Sequence, residues 1–88
     1  MIPSELIEQY GWIQGEEGNL EQGFSLTGAL RYCAPNRETF LTLQAVARYW
    51  LWGLQANAWP WRFNLESWND DPNRSKADVL ELLRRSLL

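Results

Sequence analysis

The sequence predicts an all-α protein: one compact domain over residues 1–88, built of three to four helices with two structured loops. Three observations carry this expectation. Apolar residues recur at three- and four-residue spacing in four separate stretches. Gly, Pro and capping residues punctuate the chain between those stretches. With 88 residues, 45% hydrophobic and 22% charged, the composition is that of a single globular domain rather than a disordered chain.

The first stretch, PSELIEQY over residues 3–10, reads as a short helix with Ser4 as its cap and Glu5 favouring its first turn. Leu6, Ile7 and Tyr10 share one face, and Gly11 is a natural stop because the position past a helix end commonly needs positive φ. WIQGEEGNLEQG follows as a loop containing Gly15, Gly18 and Gly23, with Trp12 and Ile13 expected to tuck back onto the core. A second helix fits Ser25–Cys33, with Leu26, Ala29, Leu30 and Cys33 on one stripe. Gly28 in its middle costs about 1 kcal/mol against Ala, which points to a close helix–helix approach there.

Pro35 ends that helix and Asn36 can cap the next, which spans about Arg37–Gln55. This longest helix carries two apolar stripes, one of Leu43, Val46, Trp50 and Leu54, the other of Leu41, Ala45, Tyr49 and Trp52. A helix apolar on two sides is either the central element of the domain or carries an interface, and the central position is preferred. Pro60 biases Trp59 away from helical geometry, so NAWPWRFN reads as an extended loop that could wrap the third helix. The last helix is expected over about Lys76–Leu87, with Val79, Leu80, Leu83 and Leu87 facing inward and Arg84 and Arg85 complementing its dipole.

Composition excludes several function classes. The net charge is −3, with five Glu and no basic residue in residues 1–30 and a balance of +2 over residues 31–88. Duplex nucleic-acid binding needs a basic stripe that neutralises several phosphates, and none is present. There is no His and only Cys33, so Cys/His zinc sites and an internal disulfide framework are ruled out, and Cys33 reads as a small buried hydrophobe. The N-terminal stretch is acidic and lacks the apolar core of a signal peptide, and the longest apolar run is too short to span a bilayer. A soluble, cytoplasmic protein is expected, without membrane attachment, metal or cofactor. Six tryptophans are present, and most are expected in the core, although a domain of this size cannot enclose all six.

The run SWNDDPNRSKADVL, Ser67–Leu80, is the most informative segment. Ser75 and Asp78 have capping-box spacing, and Asn69, Asp70, Asp71, Pro72 and Asn73 are turn formers. Trp68 would anchor this turn to the core. The alternatives are weaker: adjacent Asp70 and Asp71 tend to point apart, no calcium-loop spacing is present, and no phosphate-binding or nucleophile motif occurs. A hydrolase using Asp70, Asp71 or Glu17 has little beyond its carboxylates to support it, and a non-enzymatic protein is expected.

The segments Gly11–Gly15 (G-W-x-Q-G), Gly23–Leu30 (G-x-x-L-x-G-A-L) and Trp68–Asp70 ahead of Arg74–Leu80 together resemble an uncharacterised domain family of bacterial and phage proteins. That family is marked by a Trp-Asn-Asp motif followed by Arg-Thr and a final helix. Here Ser75 stands where Thr is usual, Ser25 stands where a Cys would be expected, and the aromatic insert from Trp50 to Trp61 looks particular to this chain. The resemblance implies a fold and a phage or mobile-element setting, and no chemistry.

Two functional expectations follow. The first is binding of a protein partner through the aromatics around Tyr49–Trp61, with Trp59, Trp61 and Arg62 as candidate contacts, since Trp, Tyr and Arg dominate interface hot spots. Homo-oligomerisation through the third helix is compatible with it. The alternative is binding or sequestering of a nucleotide-like anion by Trp12, Gln14, Arg31, Trp68, Asn69, Asp70 and Arg74, if the first loop packs on the Trp-Asn-Asp turn, although the preferred reading of that convergence is that it ties the two loops to each other.

Overall fold

Pro3 can begin a helix because its missing N–H is unneeded in the first turn, and it does so here. The computed structural model, which describes residues 1–54 and 64–88, starts α1 at Pro3–Tyr10 with Ile2, not Ser4, as its N-cap. Ser4 instead lies inside the first turn, where its backbone N–H donates to the Leu88 carbonyl at 3.2 Å. Gly11 closes the helix at φ 103°, as its position suggested.

The expected loop after α1 contains a small antiparallel ladder, β1 (Gly18–Asn19) and β2 (Gly23–Phe24). Asn19 shapes the turn between them, its Oδ1 accepting from the N–H groups of Glu21 and Gln22. Phe24 then stitches the hairpin to the Gly11–Ile13 segment: its N–H donates to the Gly11 carbonyl and its carbonyl accepts from Ile13 N–H. Strands of two residues are too short to show an alternating pattern, which is why the sequence reads as a loop there.

Helix α2 (Leu26–Cys33) is capped by Ser25, which accepts from Gly28 N–H. Residues Leu26 to Leu30 are all buried, and α2 packs against α1, β2, α3 and α4. It, rather than the longest helix, is the central element. Its small residues Thr27, Gly28 and Ala29 let neighbours approach from several sides. Gly28 answers to the loop and not to another helix: a Cβ there would lie 2.0 Å from the Glu17 carbonyl oxygen. The same carbonyl accepts from Ser25 N–H, so the loop is pinned across the helix start.

Helix α3 (Arg37–Leu54) is capped by Asn36, whose Oδ1 accepts from Thr39 N–H. Neither expected apolar stripe is its core face. Phe40, Ala47 and Leu51 are buried, with Leu43 and Gln44 half-buried beside them, against α2 and α5. Leu41, Ala45, Tyr49 and Trp52 lie on the opposite, exposed side. The expected extended run through Trp59, Pro60 and Trp61 lies outside the described residues.

Helix α4 (Leu65–Asn69) is a single turn, capped by Asn64 through Glu66 and Ser67 N–H. Five residues carry no readable periodicity, so it is absent from the sequence-based expectation. Helix α5 (Lys76–Arg85) opens on the anticipated capping box, with Ser75 Oγ accepting from Asp78 N–H at 3.2 Å and Asp78 accepting from Ser75 N–H at 3.0 Å. Val79, Leu80, Leu82 and Leu83 are buried against α1 and α3, while Leu87, expected inward, is 88% exposed past the helix end at φ 61°. An Arg84–Glu8 ion pair joins α5 to α1 at the surface.

The described chain is therefore mostly helical, with five helices and one small sheet, and not all-α. Among the described residues no helix is long and apolar enough to cross a membrane. The expectation of a tryptophan-rich core is corrected as well. Trp12 and Trp68 are half-buried, and Trp50 and Trp52 are 40% and 50% exposed. The core is built instead from leucines, with Ile7, Phe24, Phe40 and Val79.

Candidate functional site

Asn69, the last residue of α4, is fully buried. A buried amide is costly unless its two acceptor and two donor sites are all matched, and here they are. Its Oδ1 accepts from the Trp12 indole Nε1 at 2.6 Å and from Leu26 N–H at 3.0 Å. Its Nδ2 donates to the Ile13 carbonyl at 3.1 Å and to Asp70 Oδ1 at 3.0 Å. One side chain thus joins the segment after α1, the start of α2 and the end of α4.

The surrounding groups extend this latch. Gln14 Nε2 donates to the Asn69 and Asp71 carbonyls at 2.9 and 2.7 Å, and Gly15 N–H donates to Asp70 Oδ1 at 2.9 Å. Asp71 turns the other way and accepts from Asn73 N–H, so the two neighbouring carboxylates serve different backbone groups and form no pair. Trp68 packs against the core, and the Arg74 guanidinium lies 4.0 Å over its ring while Nε donates to the Trp68 carbonyl.

The convergence anticipated from sequence therefore occurs for Trp12, Gln14, Trp68, Asn69, Asp70 and Arg74. It is a convergence of these groups on each other. Arg31 does not bond to them: it pairs with Glu17 at 2.9 Å and stacks 4.1 Å over Phe40. Trp59, Trp61 and Arg62 lie outside the described residues. Cys33 is half-buried against the core, and burial pushes its thiol above the ordinary range, which leaves little thiolate for nucleophilic chemistry.

Of the second candidate region, only the part on α3 lies within the described residues. On α3, Leu41 is 46% and Tyr49 74% exposed, and Ala45 between them is exposed too. Spaced by four, they form one stripe facing away from Phe40, Ala47 and Leu51, with Arg48 exposed beside it. Trp52 continues the stripe and Trp50 flanks it.

The molecule is thus a small, mostly helical domain closed by an asparagine latch. The chain belongs to a family of unknown function (DUF6197), whose model matches residues 4–86 and so takes in both the latch and α3. No curated protein and no solved structure matches it.

Proposed function

We propose that this is a non-enzymatic interaction protein that binds a protein partner through the outer face of α3, as a phage or mobile-element accessory factor acting in the cytoplasm. The observation that carries the reading is the exposed stripe of Leu41, Ala45 and Tyr49 on the side of α3 that the core does not use. Apolar and aromatic side chains at this spacing are how a helix presents itself to a complementary surface. Arg48 beside Tyr49 adds a residue type that anchors interfaces.

A photo-crosslinking amino acid placed at Ala45 tests the reading in cells of the native host. The expected result is an adduct with one partner protein, lost in Leu41→Glu and in Tyr49→Ala, with both variants unfolding at the wild-type urea midpoint. An adduct with a second copy of the chain would replace that partner by self-association through the same helix. Adducts from a control position on α5, such as Glu81, with none from position 45, would overturn the reading.

A further inference from the structure

A cleft of about 380 Å³ opens where α2, α3 and the start of α4 meet, and its lining includes Thr27, Arg31, Gln44, Arg48, Asn64 and Glu66. What sets it apart from the latch is the number of hydrogen-bonding groups left over. Among the described residues, neither the Gln44 amide nor the Arg48 guanidinium has a hydrogen-bond or ion-pair partner. Asn64 uses its Oδ1 to cap α4, which leaves its Nδ2 donors unspent. Thr27 is 2% exposed, and its buried Oγ1 has no partner. That hydroxyl is closed to solvent, so the donors open to the cleft are those of Gln44, Arg48 and Asn64.

Arg31 is held ready in the same wall. Glu17 takes its Nε, and the Phe40 ring lies under its plane at 4.1 Å, which fixes the guanidinium while leaving its terminal nitrogens without partners among the described residues. Two guanidinium groups, one of them already paired with Glu17, and two amides thus line the cleft against a single lining carboxylate, Glu66. The surplus is of donors, and the group that matches it is an oxyanion.

We propose that this cleft binds the phosphate group of a small phosphorylated molecule. Donors drawn from α2, α3 and the N-cap of α4 suit the three terminal oxygens of a tetrahedral phosphate better than a flat carboxylate. The volume lies near the low end of small-molecule sites, on the order of 300–1,000 Å³, so there is room for a sugar-sized body beyond the phosphate. Arg48 supplies charge unpaired among the described residues, and Gln44, Asn64 and the terminal nitrogens of the Glu17-paired Arg31 supply directed N–H donors. This site borders the protein-binding stripe and shares Arg48 with it, while Arg31, Gln44 and Asn64 belong to the cleft alone, and the proposal does not rest on that reading.

The test is an NMR titration of the full chain at low salt with inorganic phosphate, ribose 5-phosphate and citrate, following the side-chain amide signals of Gln44 and Asn64. Saturable shifts of both signals are expected, with ribose 5-phosphate binding more tightly than phosphate and both more tightly than citrate. Arg48→Gln and Gln44→Leu should each weaken binding about tenfold, as loss of one charge-assisted contact would. Tyr49→Ala should leave it unchanged. Sodium chloride reproducing the shifts at equal ionic strength, citrate binding most tightly, or an Arg48→Gln variant that binds like wild type would each overturn the assignment.

Discussion

The Asn69 latch and the outer face of α3 solve opposite problems. At the latch, a polar side chain is buried completely, and its four hydrogen bonds compensate for the water it lost. On α3, large apolar side chains stay at the surface and leave much of their area in water. In the first region Asn69 has its bonding capacity used up within the chain, although the buried Trp68 indole N–H beside it has no partner among the described residues, and the second has apolar area still to bury. The contrast teaches where to look for function. Polar residues brought together from distant parts of a sequence make a persuasive site on paper, yet here Trp12, Gln14, Asn69 and Asp70 bond to one another and to nearby backbone, while a plain helix face is left exposed.

Substitutions can break or sharpen that contrast, and the largest effect belongs at Asn69. Asn69→Ala orphans the Trp12 indole N–H, Leu26 N–H and the Ile13 carbonyl together, and should cost on the order of 3–5 kcal/mol by urea denaturation. For a domain whose total stability is roughly 5–15 kcal/mol, that is a large share. Asn69→Asp keeps the shape and the Oδ1 acceptor but sets a carboxylate against Asp70 and the Ile13 carbonyl. A comparable loss at neutral pH would show that bonding pattern, not volume, matters there.

Gly28→Ala should come next, at about 1–3 kcal/mol, because its Cβ would collide with a carbonyl held by Ser25 and the gain in helix propensity is smaller than that strain. Ser75→Ala removes half of the capping box and should cost about 1 kcal/mol, read as a lower melting temperature. At the bottom of the scale, Leu41→Glu should change stability by no more than about 0.5 kcal/mol. A loss as large as at Gly28 would mean that the outer face of α3 already has its partner within the chain.

Much of this was legible in the sequence wherever the physics is local. Ser75, Asp78, Asn36 and Gly11 were readable because caps and stops act over three or four residues. The union of Trp12 and Gln14 with the Trp-Asn-Asp turn was also legible, since both segments held side chains needing polar partners when packed. Arg31 lies apart from the other candidates because its direction depends on where Glu17 and Phe40 come to rest, and neither position is written locally. The pocket-lining roles of Thr27, Gln44 and Asn64 had no sequence signal, since isolated polar residues on α2, α3 and the N-cap of α4 look like ordinary solvated positions.

The amino-acid sequence by itself determined that the chain would be mostly helical, where α2, α3 and α5 run, and how α5 begins. Capping and apolar spacing are short-range and add up along the chain. Tertiary structure decided which face of α3 turns inward. The helix is apolar around most of its circumference, so its own pattern admits several orientations. Phe40, Ala47 and Leu51 were selected because they fit against α2 and α5, whereas the Tyr49 and Trp52 side would have required room for two large rings. Tertiary structure also decided that Asn69 would be a strut, since a side chain's hydrogen-bond partners are settled only when the chain has closed around it.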